Sequence, residues 1–109
     1  MRASWLIALV ASAAVVVAAI EVRAGDFTVH QKDKKFDVTE LTIKKGQTIT
    51  FENDDPFTHN VYSETPGMEF DLRTQAPGKS SDVTFDHVGT AEVLCAIHPQ
   101  MKLKVTVTE

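Results

Sequence analysis

An all-β domain, folded as a two-sheet sandwich, is what this sequence predicts, and three observations predict it. From Asp26 onward apolar residues recur with period two, as in Phe36 and Val38, Ile49 and Phe51, Val83 and Phe85, and Leu103, Val105 and Val107. Between them stand Thr, Lys, Asp or Glu, the alternation of strands buried on one face. Turn-forming residues interrupt these runs roughly every ten positions, and no stretch carries a helical stripe.

Strands are expected over residues 26–31, 36–43, 47–53, 59–63, 69–72, 81–87, 90–96 and 102–108, about eight in all. The punctuation lies at Lys45-Gly46, Asn53-Asp54-Asp55-Pro56, Thr65-Pro66-Gly67, Ala76-Pro77-Gly78 and Val88-Gly89. Residues 64–80 hold two of the Pro-Gly turns and little alternation, so most of that segment reads as loop.

The first 24 residues read differently. Arg2 gives a short positive start, Trp5 to Ile20 is a run of 16 apolar and small residues, and Val22-Arg23-Ala24 offers small side chains for cleavage. That is the pattern of a secretory signal peptide, and the run falls short of the roughly 20 residues that span a bilayer. The expected organisation is a signal peptide over 1–24 and one domain over 25–109. The domain would be exported to the periplasm or a similar compartment, without stable membrane insertion. Its 9 basic and 14 acidic residues give a net charge of −5, which argues against a nucleic-acid partner. Cys95 is the single cysteine of the chain. No internal disulfide is possible, and an exported free thiol is expected to be either buried or held as a thiolate.

Cys95-Ala96-Ile97-His98-Pro99-Gln100-Met101 places a thiol, an imidazole and a thioether at spacings of three and three. Pro99 opposes a continuous helix, so the segment reads as a loop between two strands that can turn all three side chains toward one point. Soft and borderline donors of this kind suit copper far better than magnesium or calcium. His59, just after the turn that ends another strand, is the best fourth donor. Two imidazoles, a thiolate and a weak axial thioether are the blue-copper set. The bland alternatives are a hydrogen-bonded turn histidine at His59 and core packing at Met101.

The residues Leu41 to Asp54, LTIKKGQTITFEND, followed by His59-Asn60-Val61, resemble the plastocyanin, pseudoazurin and amicyanin group of cupredoxins. The two-residue gaps on either side of His98 resemble the short ligand loop of amicyanins, although Ile97 stands where amicyanins usually carry proline. The resemblance implies a Greek-key cupredoxin sandwich holding one copper ion, Cu(II)/Cu(I), on His59, Cys95, His98 and Met101. It gives Asn60 the task of fixing the ligand loop near the thiolate. It also implies a monomeric, non-enzymatic electron carrier that uses the His98 edge to meet transient redox partners, such as a c-type cytochrome or a periplasmic dehydrogenase.

Two other functions compete: a periplasmic copper-binding or copper-delivery protein with no obligatory electron partner, and a domain of a multicopper enzyme. His30 and His87 read as exposed, and Met68 as surface or core near the metal end. Asp54, Asp55, Glu64 and Glu69 read either as solvated loop or as an acidic region steering a basic partner.

Overall fold

A computed structural model describes residues 25–109. The expected leader, 1–24, lies outside the described residues. Among the described residues nine strands follow one another: β1 Phe27–Lys32, β2 Lys35–Phe36, β3 Glu40–Lys44, β4 Thr48–Asn53, β5 His59–Ser63, β6 Phe70–Gln75, β7 Ser80–Thr84, β8 Gly89–Leu94 and β9 Lys102–Thr108. One sheet has the order β2-β1-β4-β7 and the other β3-β9-β8-β5-β6. Both are mixed, because β1 runs parallel to β4 and β3 parallel to β9. This is the expected all-β sandwich, and no helix of the described residues is long and apolar enough to cross a membrane.

The alternating residues do what the pattern requires. Val29, Ile49 and Phe51 from the first sheet and Ile43, Val61, Val93, Leu103, Val105 and Val107 from the second are buried between the layers. Three aromatic contacts, Phe36–Phe51, Phe51–Phe70 and Phe70–Phe85, run through the core with centroids 6.3, 6.2 and 5.9 Å apart. Rings at these separations add edge and offset attraction to the area they bury.

The expected strand 36–43 is two strands. After Phe36 the chain leaves the first sheet and enters the second at Glu40, so Val38, which continues the alternation on paper, is exposed. Strand 69–72 instead extends to Gln75. The register with β5 shifts between Asn60 and Tyr62, and Arg73 takes a φ of 59°. An extra β6 residue in the left-handed region is the signature of a bulge, and it is what hid the strand's second half from the period-two pattern.

β1 and β2 are joined by Asp33-Lys34, with φ of 56° and 60°. Positive φ at both central positions is the type I′ pattern of a two-residue hairpin, and neither residue is glycine. The carboxylate of Asp55 stabilises this turn by accepting the Asp33 N–H at 2.7 Å and the Lys34 N–H at 3.0 Å.

Candidate metal centre

The centre forms where the second sheet's ladder runs out. β5 and β8 pair at Ser63–Val93 and Tyr62–Leu94, and beyond Tyr62 the strands part. Asn60 spans the gap. Its N–H points at Cys95 Sγ (3.5 Å), its Oδ1 accepts the Ala96 N–H (3.3 Å), and its Nδ2 donates to Asp71 Oδ1 and the Arg73 carbonyl, both at 3.0 Å. One side chain thus joins the start of β5, the β6 bulge and the loop that follows β8.

That loop turns at His98–Met101, where the Met101 N–H donates to the His98 carbonyl at 2.9 Å and Pro99 takes the position where its fixed φ suits a turn. Cys95 precedes the turn and Met101 ends it, and both are buried, at 2 % and 1 % exposure.

Three donor atoms meet at this end of the sandwich. Cys95 Sγ lies 3.8 Å from His59 Nδ1 and 3.9 Å from His98 Nδ1, and the two Nδ1 atoms are 3.2 Å apart. Phe57 is wedged beside both imidazoles, 5.5 Å from each ring centroid, with the Lys34 ammonium 5.5 Å above its own ring.

His59 is fully buried, and its outer nitrogen, Nε2, is 2.7 Å from Asp55 Oδ2. Burial would raise the Asp55 pKa, but the N–H of Lys34, the His59 ring and the N–H of Asp33 together hold it below the usual carboxylate value. An ionised carboxylate only accepts, so Nε2 carries the proton and the Nδ1 lone pair faces Cys95 and His98. The His98 pKa is lowered, first by burial and then by the electrostatic influence of the His59 ring and the Lys34 ammonium, against which Asp55 acts. Its ring therefore favours the neutral form that a metal ligand needs. Two imidazole lone pairs directed at one thiol fit a borderline-soft ion such as copper and do not fit calcium or magnesium.

The other sequence expectations fall differently. Met68 is buried beside Gly89, at the opposite end of β8 from Cys95, so its place near the metal end is corrected. His87 is exposed next to Gly67, and His30 is half-exposed between two carboxylates. The four acidic residues do not share a site: Asp54 and Asp55 lie at the metal end, whereas Glu64 and Glu69 sit beyond the far end of β5.

Asp55 belongs neither to a solvated loop nor to a steering surface, since it is 4 % exposed and bonded to His59. Sequence reading also missed the amides behind it. Asn53 accepts the Asp55 N–H and donates to the Phe57 and Gln75 carbonyls, while Gln75 accepts from Gln31 of the facing sheet at 2.6 Å. The one available signal was polar residues at inward positions of the strand pattern, Gln31 after Val29 and Asn53 after Phe51.

Comparison with known proteins agrees with this chemistry. The family described as "Copper binding proteins, plastocyanin/azurin family" matches residues 23–108. Amicyanin-alpha of Methylorubrum extorquens is 34 % identical over 112 residues, covering 96 % of this chain and 94 % of the relative. Plastocyanin of Scenedesmus fuscus is 32 % identical over 82 residues, 67 % of this chain and 84 % of that one. Among solved structures, the Cu(I) form of an amicyanin mutant superposes with a TM-score of 0.70 at 30 % identity, covering 80 % of this chain and 86 % of that one. The Cu-containing nitrite reductase of Thermus scotoductus gives a TM-score of 0.74 at 27 % identity over 87 % of this chain, which spans 25 % of the reductase. With a copper-protein family matched along nearly all of the described residues, and imidazole and thiol donors gathered at one end of the sandwich, this chain belongs to the plastocyanin/azurin family of copper-binding proteins.

Proposed function

We propose that this protein is a single-copper electron carrier, with His59, Cys95, His98 and Met101 as ligands. The observation that carries the reading is the approach of Cys95 Sγ, His59 Nδ1 and His98 Nδ1 to within 4.8 Å of one another, with Met101 buried at the end of the same turn. Copper held there would cycle between Cu(II) and Cu(I), and soft sulfur with borderline nitrogen is acceptable to both states. The chain's own residues do the rest. Asp55 fixes the His59 tautomer, Asn60 ties β5 to the Cys95 loop, and the bulk of the sandwich limits movement when the charge changes.

Export to the periplasm, with residues 1–24 as the leader, belongs to the same reading, as do a monomeric state and transient partners such as a c-type cytochrome or a periplasmic dehydrogenase. Ile97, 51 % exposed beside His98, offers apolar surface suited to brief docking. The reading assigns no catalysis to the chain, since these four ligands leave no position for a substrate.

A visible spectrum of the copper-loaded protein tests it. An intense blue thiolate-to-copper band is expected, and Cys95→Ser should abolish it; a variant that stays blue would remove Cys95 from the ligand set. Met101→Gln should retain copper and lower the reduction potential, because a harder axial oxygen favours Cu(II). Each tenfold change in relative affinity for the two oxidation states is about 59 mV for one electron, and a fall of at least that size is expected. An unchanged potential would make Met101 a packing residue.

A further inference from the structure

His30, Glu52 and Asp54 lie outside the copper centre and share none of its donors. We propose that they form a second, surface site for one divalent transition-metal ion, with Zn²⁺ as the representative case.

The fold builds the cluster. His30 of β1 and Glu52 of β4 are direct partners in the parallel register. Their neighbours Val29, Gln31, Phe51 and Asn53 point into the core, so both leave the sheet on its outer face. Asp54 follows β4, and its N–H is fixed by the Gln31 carbonyl at 2.9 Å. His30 Nδ1 is then 2.6 Å from Asp54 Oδ2 and 3.0 Å from Glu52 Oε1, and the three ligand atoms lie within 4.8 Å of one another.

The positions are held from outside the cluster as well. Asp37 accepts the His30 N–H through its carboxylate at 3.0 Å, and its own N–H donates to the His30 carbonyl at 2.8 Å. Ser80 Oγ donates to the second oxygen of Glu52 at 3.2 Å.

One imidazole nitrogen and two carboxylate oxygens are a donor set that zinc accepts. Ligands bound at about 2.1 Å in a tetrahedron stand about 3.4 Å apart, so modest opening of the present contacts admits the ion. Side-chain exposures of 41 %, 36 % and 40 % leave room for water at a fourth position.

Charge balance points the same way. With His30 neutral, two carboxylates share the cluster, and the nearby Lys32 ammonium bonds the Asp54 carbonyl at 3.4 Å. A divalent ion would neutralise the pair by taking the Nδ1 lone pair; a neutral ring keeps its single proton on Nε2, and each ring that is protonated beforehand releases its Nδ1 proton to the buffer as the ion binds.

The test is calorimetric titration of Zn²⁺ into the copper-loaded protein at pH 7.5, in two buffers of different ionisation enthalpy, while the visible copper band is followed. One equivalent should bind with proton release and an unchanged band. His30→Ala and Glu52→Gln should each weaken binding by about tenfold or more, whereas His87→Ala should leave it unaltered. Absence of saturable heat at millimolar zinc, affinity indifferent to both cluster variants, or uptake that bleaches the copper band would each overturn the proposal.

Discussion

Two adjacent aspartates each hold a histidine, and the two pairs could hardly be placed more differently. Asp55 meets His59 at 2.7 Å with both side chains at 2 % exposure or less; Asp54 meets His30 at 2.6 Å with both about two-fifths exposed. Nearly equal distances conceal different physics. In the dry pair the carboxylate also caps a strained hairpin turn and decides which imidazole nitrogen carries a proton, so its removal strands several polar groups. In the wet pair water can replace either partner, and the contact resembles a surface ion pair of small net value.

The sharpest way to break that contrast is to remove each carboxylate in turn. Asp55→Ala leaves the His59 Nε2–H and the two turn N–H groups without their acceptor, and hydrogen bonds to a charged group contribute about 1.5–3 kcal/mol each. Because water can reach the turn more easily than His59, a loss of about 3 kcal/mol is expected in urea denaturation of the copper-loaded protein, together with an altered visible spectrum. Asp54→Ala should cost less than about 1 kcal/mol and leave the spectrum unchanged. Equal losses from the two variants would mean that burial does not separate the pairs.

Asp55 also shows where legibility in the sequence ends. The strand alternation, the turns and the short loop from Cys95 to Met101 could all be read because each is local: a period, a Pro-Gly pair, a spacing of three. Asp54-Asp55 reads as solvated charge, since nothing local says that the second carboxylate turns inward to reach a hairpin 21 residues earlier in the chain. The same reason hid the crossover after Phe36, where alternation continues through Val38 although the chain changes sheets. His59 was found through its flanking residues, and its partner through Nε2 was not, because that contact depends on how the 54–58 turn folds over the β1–β2 hairpin.

Acid should expose the buried pair. The folded-state pKa of Asp55 lies below its unfolded value near 3.8. The stability it contributes is therefore complete above about pH 4 and is lost as pH falls through the lower, folded value. Denaturation midpoints of the copper-loaded protein should drop more steeply below pH 4 in the parent than in Asp55→Asn, which has no carboxylate to protonate. Parallel acid limbs would mean that Asp55 is not ionised in the fold.

The exposed pair should respond at the other end of the scale, and by less. The Asp54 hydrogen bond is the largest influence on His30 and raises its pKa above 6.5; partial burial opposes the shift, while the charges of Asp54, Glu52 and Asp37 reinforce it. A group whose folded pKa is raised contributes stability that is fully present below the unfolded value. That stability is lost as pH rises through the folded value. For His30 the window opens near pH 6.5 and closes above it, where Asp55 is already ionised in both states and contributes no slope. The parent is compared with His30→Gln, so that only the slope owed to His30 is read. Midpoints measured from pH 5.5 to 8.5, without zinc and at low salt, should converge as pH rises, with the parent's advantage largest at the acid end. Because the ring and both carboxylates are about two-fifths exposed, the difference should stay below about 1 kcal/mol. It should shrink further in 1 M salt, where the screening length is about 3 Å. A constant gap across the range would show that His30 acts through packing on the sheet face, and a gap that widens with pH would reverse the sign of the interaction.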